Sequence, residues 1–348
     1  MAGPLSLIGY GVGQGARVAW YASHYLALSR MRGPLVPPGE APVSVKGRVP
    51  GWRTIAAGMR DLFERDWRNI KAGLYRAPEG LLPPSRAIAA SRHFFRDARK
   101  VDERRLSRRH AEVLTEELRR RYPRYYLQNF HYQTGGWFSE ESARLYDTQV
   151  EVLFSGTADA MRRQALVPLA DHFKGRDQRE LRLLDVACST GRFLEEVAAN
   201  YPRLNVTGLD LSPAYAAEAR KRLGRRRSAS IVEANAEAMP LAAASQDAVT
   251  CIYLLHELPP AIRPVVAREI ARVLKPGGVA IIVDALQTGD RPDYDGLLEF
   301  FPIGFHEPYF SSYLAEDFSA LFAREGLALE SVERAFLSKV MCFSKGSG

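Results

Sequence analysis

The sequence has few cysteines and no pattern that suggests a metal site. Only three cysteines occur in 348 residues, Cys188, Cys251 and Cys342, and they lie far apart without the spacing of metal ligands. Two of them fall in apolar, strand-like runs, which predicts buried thiols in a reducing compartment. The pattern argues against a small secreted fold held by disulfides, and we predict no bound metal.

Acidic residues are absent from the first 39 positions. An apolar and aromatic run extends over residues 5–28, but Arg17 in its middle would cost about 2.5–3.5 kcal/mol inside a bilayer. No basic residue precedes the apolar part, so a cleaved secretory signal fits poorly. In order of preference, we interpret residues 5–28 as a docked or interfacial helix, as an organelle presequence or as a membrane span.

Positive charge is concentrated in the first part of the chain. Residues 1–150 hold 25 Lys and Arg against 14 Asp and Glu, whereas the remaining residues hold 23 against 26. One interpretation is a solvated helical surface, and the other is a face for anionic lipid or nucleic acid. The solvated surface is favoured, because the basic residues are spread and interleaved with acids.

Helical periodicity follows a Pro- and Gly-rich linker at residues 33–50. We expect helices over residues 52–74, 85–121, 139–154 and 157–173. Between the second and third, residues 125–138 pack six aromatic side chains around Gly135 and Gly136. This segment is either an ordinary hydrophobic corner or a wall that faces a ligand.

From residue 181 onward, short apolar strands alternate with helices. Five such strands are expected at 181–187, 204–211, 230–235, 248–255 and 278–286, and two adjoining segments, 327–335 and 336–345, are expected to form an edge hairpin. The pattern predicts an α/β fold with a Rossmann-like, doubly wound and mostly parallel seven-stranded sheet. We expect a basic, mainly helical N-terminal extension at 1–138, this domain at 139–348, and an acceptor or lid insertion at 286–313.

Polar groups close three successive strands. Asp185 ends the first strand above a turn of small residues, and Asp210 ends the second, where its carboxylate can accept hydrogen bonds from a ribose diol. The third strand runs into an acidic, amide-bearing turn at 233–237 that can meet an adenine edge. The first turn lacks both the GxGxxG spacing of a dinucleotide site and the Lys–Ser/Thr pair of a phosphate-binding loop. Together these turns predict a site for an adenosine-bearing ligand.

Four segments in this order, LLDVACSTGRFLEEV, VTGLDLSPAYAAEA, IVEANAEAMPL and EIARVLKPGGVAIIVD, resemble class I S-adenosylmethionine-dependent methyltransferases. Within that superfamily the chain is most similar to the ubiquinone/menaquinone-biosynthesis type, over roughly residues 140–345. The resemblance implies S-adenosyl-L-methionine as cofactor. It implies these cofactor-binding positions: Asp185, Ala187, Ser189, Gly191, Asp210, Leu211, Asn235, Ala236, Glu237 and Leu254. The usual pattern has glycines in place of Ala187 and Ser189, and often Asp in place of Asn235.

The fourth strand ends near His256, which this architecture brings close to the transferred methyl group. It is interpreted either as a general base or acceptor-orienting group, or as a histidine that only caps and packs beside the cofactor. Residues 290–313 carry seven aromatics in a long insertion, which is either an acceptor pocket or a hydrophobic seal. The candidate acceptor residues are His131, Tyr146, His306, Glu307, Tyr309 and Tyr313.

The leading hypothesis is an enzyme that methylates a small acceptor that is hydrophobic or aromatic, such as a phenolic or prenylated ring. The alternatives are an RNA or protein methyltransferase that uses the basic extension, and a non-catalytic cofactor-binding scaffold. Nucleic acid is disfavoured, since no Asn-Pro-Pro-aromatic signature or nucleic-acid module is recognisable. A NAD-dependent dehydrogenase ranks fourth, because the first turn lacks the glycine spacing of a dinucleotide site. We expect a cytoplasmic protein, with peripheral contact between the extension and an anionic membrane left open; the sequence does not indicate an oligomeric state.

Overall fold

The computed structural model describes residues 7–34, 44–78 and 84–347. Its centre is a sheet of seven strands: β1 Arg182–Val186, β2 Asn205–Asp210, β3 Ala229–Glu233, β4 Gln246–Ile252, β5 Leu274–Ala285, β6 Leu327–Ala335 and β7 Ser338–Lys345. The order across the sheet is β3-β2-β1-β4-β5-β7-β6. The first five strands are parallel, and β7 pairs antiparallel with β5 and β6. The predicted doubly wound sheet with an antiparallel edge hairpin is confirmed.

Helices cover both faces of this sheet. One face packs against α7 (Leu166–Phe173), α8 (Arg192–Asn200) and α9 (Pro213–Leu223), and the other against α10 (Arg263–Val273) and α13 (Phe318–Ala323). Along β1, Leu183 belongs to the first core, whereas Leu184 and Val186 belong to the second. Successive strand side chains point to opposite faces, so a strand buried on both sides must be apolar throughout.

The N-terminal part is helical, as predicted. It contains α1 (Leu7–Met31), α2 (Trp52–Lys71), α3 (Pro84–Leu106) and α4 (Glu116–Arg119), followed by α5 (Glu140–Leu153) and α6 (Ala158–Arg163). Among the described residues, none of the helices combines the length and the apolar character that crossing a membrane requires.

The prediction of one long helix over residues 85–121 is wrong. Helix α3 ends at Leu106, and α4 resumes only at Glu116. The intervening segment is hydrogen-bonded to buried Asn129. The backbone N–H of Asn129 donates to the carbonyl of His110 at 2.7 Å, and its side-chain Oδ1 accepts from the backbone N–H of Glu112 at 3.1 Å. These bonds come from a distant part of the chain, so a tertiary contact, and not a local helix breaker, ends the helix.

The helix expected over residues 157–173 is divided into α6 and α7. Pro168 in α7 has no N–H to offer to the carbonyl of Gln164, and its ring crowds that carbonyl. The two helices therefore meet at Gln164 and Ala165.

The insertion is largely helical over residues 295–313, with a short break at residues 306–309. Helix α11 (Asp295–Phe305) ends at His306, whose φ is +49°, and α12 (Phe310–Tyr313) follows. The aromatic segment before α5 consists of three single turns of 3₁₀ helix, at Arg124–Tyr126, Phe130–Tyr132 and Gly136–Phe138.

Buried ion pairs join the extension to α6. Arg17 of α1 lies 2.6 Å from Asp159, and Arg163 lies 2.7 Å from Asp66 of α2, with the side chains of the second pair almost fully buried. The hydroxyl of Tyr10 also donates to Asp66, at 2.5 Å. Part of the positive charge of the extension is thus neutralised inside the protein. The boundary at residue 138 stays a prediction.

Candidate functional site

The turn after β1 has an unusual backbone. Ala187 and Ser189 have φ values of +57° and +53°, and Gly191 has +74°. This left-handed region favours glycine, since a Cβ there crowds the following carbonyl. The Oγ of Ser189 is buried and has no hydrogen-bond partner among the described residues. The turn is thus shaped like one built of glycines, with an unpaired hydroxyl beside the pocket.

Asp210 at the end of β2 is fixed by two backbone amides. Its Oδ2 accepts from Ser189 N and its Oδ1 from Ser212 N, both at 2.8 Å. Burial outweighs these hydrogen bonds and raises the pKa of Asp210 to about 6. Each carboxylate oxygen keeps a further lone pair, so the group can still accept two hydrogen bonds from a ligand diol.

Two other carboxylates near these turns face protein groups. Asp185 accepts a 2.6 Å hydrogen bond from Thr250 Oγ1, and burial raises the pKa of Asp185 to about 7. Glu237 accepts from the hydroxyl of Tyr125 at 2.7 Å and from Asn235 Nδ2 at 2.9 Å. These bonds hold the first and third turns in place.

A pocket of about 810 Å³ opens above the turns. Most of the predicted cofactor positions line it: Ala187, Ser189, Asp210, Leu211, Asn235, Ala236 and Leu254. Asp185 lines a smaller adjoining pocket, whereas Gly191 and Glu237 line neither. A Cβ on Gly191 would lie 3.1 Å from that of Ala219, so Gly191 serves the close packing of α8 on α9.

The extension closes one side of this pocket. Tyr125, Tyr126, Phe130 and Trp137 line it together with Tyr146. Of the two interpretations of the aromatic segment, the ligand-facing wall agrees with this placement. The cofactor positions expected from the motifs did not include these residues, although their aromatic density had marked the segment.

A second, apolar cavity of about 1400 Å³ adjoins the first. Its walls come from α1, α2, α5, α11 and the β6–β7 turn, with these apolar members: Tyr25, Ile55, Met59, Val150, Leu153, Phe154, Leu297, Leu298, Phe300, Phe301, Phe305, Phe310, Phe336 and Leu337. Tyr146, Tyr253 and Glu257 line both spaces. The two cavities therefore meet at these three side chains.

Half of the expected acceptor residues line the apolar cavity, namely His131, Tyr146 and Glu307. The other half lie outside it. His306 Nε2 and the Tyr309 hydroxyl contact the amide of Gln128, at 3.0 and 3.4 Å, and Tyr313 is fully buried with its hydroxyl on the carbonyl of Ala285. These three side chains support the walls of the cavity from behind.

Five titratable side chains gather where the cavities meet. His131 Nε2 is hydrogen-bonded to Glu307, and His256 Nδ1 lies 2.6 Å from Asp284 Oδ1. Glu257 lies between the two pairs, with its Oε1 3.7 Å from His131 Nε2 and 3.8 Å from His256 Nε2. Asp284 ends near the carboxyl edge of β5, and Glu257 follows the predicted His256. Sequence reasoning missed both, although their positions at strand ends are the signal that identified Asp185 and Asp210.

The pKa values of this cluster depart from their ordinary range. Burial alone would lower the pKa of His256, but the Asp284 carboxylate outweighs it and raises that pKa to about 10. The pKa of His131 is raised in the same way, since Glu307 outweighs burial. Burial, followed by the charge of Glu307, raises the pKa of Glu257 to about 8. Both histidines therefore tend to carry a second proton, and Glu257 tends to keep its own.

Comparison with known proteins agrees with this geometry. The family described as "Methyltransferase domain" matches residues 183–278. The Ubiquinone/menaquinone biosynthesis C-methyltransferase UbiE of Desulfotalea psychrophila is 30% identical over 186 residues, which are 53% of this chain and 71% of that protein. The Demethylmenaquinone methyltransferase of Beutenbergia cavernae is 30% identical over 179 residues, 51% of this chain and 68% of that protein.

Other matches are shorter or have lower sequence identity. The Malonyl-[acyl-carrier protein] O-methyltransferase of Legionella pneumophila is 36% identical over 97 residues, which are 28% of this chain; the chain spans only 34% of its length, and 44% of that of the UbiE of Syntrophotalea carbinolica. The crystal structure of the CurJ carbon methyltransferase has a TM-score of 0.48 and 14% identity, with 97% of this chain and 93% of that chain covered. On the strength of the Desulfotalea and Beutenbergia matches, the chain belongs to the class I S-adenosylmethionine-dependent methyltransferases of the UbiE type, whose cofactor is S-adenosyl-L-methionine.

Proposed function

We propose that the protein transfers a methyl group from S-adenosyl-L-methionine to a small hydrophobic or aromatic acceptor in the apolar cavity. The observation that carries the proposal is the meeting of the pocket above the strand-end turns and the apolar cavity at Tyr146, Tyr253 and Glu257. A donor in the first space and an acceptor in the second would come together at that point. The names of the UbiE-type relatives point to quinone-type acceptors, which suit such a cavity.

The pocket above the strand-end turns fits the cofactor. Asp210 has lone pairs free for the ribose hydroxyls, Ser189 has an unpaired Oγ for a polar group of the methionine part, and Leu211 and Ala236 offer apolar contact to the adenine. Bound there, the cofactor supplies a methyl group that its sulfonium already activates. The protein must then orient the acceptor and exclude water. The aromatic wall around Trp137 serves the second requirement.

The apolar cavity suits an acceptor with a substantial hydrocarbon part. Its walls are mostly aliphatic and aromatic side chains, as is usual for small-ligand sites. A further space shares Tyr25, Val150, Leu153, Phe300 and Phe305 with it. Together they offer room for a ring near Glu257 and an isoprenoid or acyl tail behind it.

The proposal is tested with tritium-labelled methyl donor. Purified protein is incubated with [methyl-³H]S-adenosyl-L-methionine and chemically reduced demethylmenaquinone in detergent, and parallel tubes contain bulk RNA or denatured protein. We expect label in the organic extract, and its loss in Asp210→Ala because the ribose hydroxyls lose their acceptor. Label only in RNA or protein, or tight cofactor binding by calorimetry without any transfer, would contradict the proposal in favour of the alternative methyltransferase or the scaffold.

We further propose that the N-terminal helices touch an anionic membrane surface. On α1, Ile8, Val12 and Leu26 point outward and are 78%, 68% and 54% exposed. Exposed basic side chains lie on the neighbouring helix α3: Arg86, Arg92, Arg96, Arg99 and Lys100. An apolar face beside basic residues is typical of interfacial helices. Tyr25 of α1 is 38% exposed and also lines the apolar cavity, which supports entry of an acceptor from a lipid phase.

Vesicle sedimentation tests this contact. The protein should sediment with vesicles that contain phosphatidylglycerol more than with pure phosphatidylcholine, and added salt should weaken the binding. Val12→Asp should reduce it by at least tenfold. Val332→Asp, at an exposed position of the edge strand β6, is the matched control. Equal binding of the two variants would argue against a membrane face on α1.

A further inference from the structure

Glu257 lies at the one point where a methyl donor and an acceptor would meet. Among the described acidic residues it alone lines both the pocket above the strand-end turns and the apolar cavity; Asp210 lines only the first and Glu307 only the second. A group that removes a proton from the acceptor must reach the reacting atom directly or through one water. The position of Glu257 satisfies this requirement for an acceptor held beside the cofactor pocket.

Within the part of the chain that the structure describes, no hydrogen-bond donor lies within bonding distance of the carboxyl group of Glu257. Its Oε2 is buried without a partner, and the nearest imidazole nitrogens are 3.7 and 3.8 Å from its Oε1, beyond hydrogen-bonding distance. Glu307 Oε2 is also buried without a partner, on a residue that is 1% exposed. Buried polar atoms are nearly always paired in native proteins, so two unpaired oxygens beside one cavity indicate a ligand that supplies hydrogen atoms.

This requirement narrows the chemistry of the acceptor. Once Glu257 is ionised, its free oxygen and that of Glu307 both accept hydrogen bonds, so a ligand that pairs them must present a donor and not a carbonyl or ether oxygen. An amine placed beside two carboxylates would hold its extra proton, which blocks the lone pair that attacks the methyl group. A hydroxyl group of a phenol or an enol meets both conditions, because loss of its proton creates the nucleophile.

Each of the two histidines of the cluster is hydrogen-bonded to an acidic residue other than Glu257. His256 donates from Nδ1 to Asp284, and His131 is hydrogen-bonded through Nε2 to Glu307. The pKa of each imidazole is raised by its acidic partner, so neither ring is free to accept a further proton near neutral pH. The charged and titratable groups that face Glu257 are His131, Glu307, His256, Asp284 and Tyr146. Of the roles expected for His256, that of an orienting group agrees with this arrangement.

We propose that Glu257 is the general base of this methyltransferase and acts on a hydroxyl group of the acceptor. The inference rests on the proposed function. The hydroxyl proton passes to an oxygen of ionised Glu257, the form that dominates above about pH 8, as the O–H bond breaks, and the electron pair stays on the acceptor, on its oxygen or on a conjugated carbon. That pair forms the new bond to the methyl carbon while the carbon–sulfur bond breaks and its electrons leave with sulfur as a neutral thioether. Glu257 returns the proton to water after the product leaves.

A divalent cation is the competing occupant. The donor atoms of His131, Glu257 and Glu307 lie within 4.8 Å of one another. However, a metal-binding imidazole must be unprotonated, and it usually donates its second N–H to an acceptor. His131 Nε2 is occupied by Glu307, and its Nδ1 meets only the amide nitrogen of Gln133, at 3.4 Å. This arrangement favours a proton-transfer cluster over a metal site.

The first test compares Glu257→Gln, which keeps the size of the side chain but cannot take a proton, with wild type. With reduced demethylmenaquinone as acceptor, we expect kcat to fall at least ~100-fold, the size usual for a lost general base. The Kd for S-adenosyl-L-methionine should stay within twofold, and Glu116→Gln, at a side chain that is 74% exposed, should behave as wild type. A kcat within threefold of wild type in Glu257→Gln, or turnover that requires a divalent cation and is lost in chelator, would overturn the proposal.

A second test needs no turnover. The chromogenic phenol 4-nitrophenol is titrated into protein saturated with S-adenosylhomocysteine, and the phenolate absorption band is followed against pH. At pH 9, where free Glu257 is ionised, we expect the phenolate to bind wild type with uptake of about one proton, which Glu257 holds, and to bind Glu257→Gln with none; the pH change of a weakly buffered solution measures the uptake. Equal proton uptake by both proteins would overturn the proposal. If wild type passes this test but does not methylate reduced demethylmenaquinone, the acceptor named under the proposed function is wrong and the role of Glu257 stands.

Discussion

Glu257 is a side chain whose environment opposes its ionised form. Its pKa of about 8 in the folded protein compares with an ordinary value of 4.5. Between these two pH values the unfolded chain releases the proton while the folded protein keeps it. Folding stability attributable to this group is therefore undiminished below about pH 4.5 and falls as pH rises toward 8.

Glu257→Gln should consequently stabilise the protein at alkaline pH. The amide cannot ionise, so the stability lost by wild type between pH 4.5 and 8 is retained. At pH 8 we expect a melting temperature at least ~2 °C higher than that of wild type, the size of shift that ~1 kcal/mol gives in a chain of this length. The advantage should shrink toward pH 5. Scanning calorimetry across this range decides, and a lower melting temperature at every pH would mean that the carboxylate stabilises the fold.

The turn after β1 contains two residues for which its left-handed backbone conformation is unfavourable. Ala187 and Ser189 occupy left-handed φ values, where an L-residue with a Cβ pays roughly 1–2 kcal/mol relative to glycine. Of the two residues, only Ser189 places a polar side-chain atom, its unpaired Oγ, beside the cofactor pocket. The side chain of Ala187 has no polar atom that could offset its backbone strain.

Ala187→Gly should therefore raise stability. Relief of the strained φ exceeds the ~0.5–1 kcal/mol that the more flexible unfolded chain costs, so we expect a rise of about 1–3 °C in melting temperature. Cofactor affinity should stay within threefold of wild type. Ala198→Gly, the same substitution inside α8, should instead destabilise the protein by about 1 kcal/mol. A loss of stability in both variants would refute the strain argument.

The strands could be predicted from the sequence, whereas the end of helix α3 could not. The residues that determine each of them lie in different parts of the chain. Apolar runs such as residues 181–187 and 278–286 define buried parallel strands by themselves, so all seven strands were predictable. The end of α3 depends on Asn129, more than twenty residues further along, and no local signal marks it. The same holds for the site. Asp210 follows from its strand end, whereas the cluster around Glu257 is assembled from four separate segments.

The molecule holds its N-terminal helices through a buried ionic centre. Asp159 accepts from Arg17 and Arg192 at 2.6 Å each and from Arg162 at 3.1 Å, and Glu151 lies 2.7 Å from Arg17. This centre joins α1, α5, α6 and α8. Helices α1 and α2 also carry walls of the apolar cavity, so the docking of the extension and the shape of the acceptor space depend on the same contacts.

Removal of the Arg17 side chain should loosen that docking. Arg17→Ala leaves part of a buried acidic pair uncompensated, a change that costs on the order of 3 kcal/mol. We expect a lower melting temperature and faster proteolysis of the extension, with cofactor affinity changed less than acceptor affinity. Arg30→Ala, at an exposed position of α1, is the control. Equal protease resistance of both variants would show that the ionic centre does not hold the helix.

The division of the cavity walls has a consequence for how this protein could acquire new substrates. The match to the methyltransferase family covers residues 183–278, which supply the turns beneath the cofactor pocket. Tyr25, Ile55 and Met59, which shape the far wall of the acceptor space, all precede that region. Exchange of the leading helices between related genes would replace the acceptor while the methyl-donor machinery stays intact. In evolutionary terms, substrate choice and chemistry can change independently in this chain.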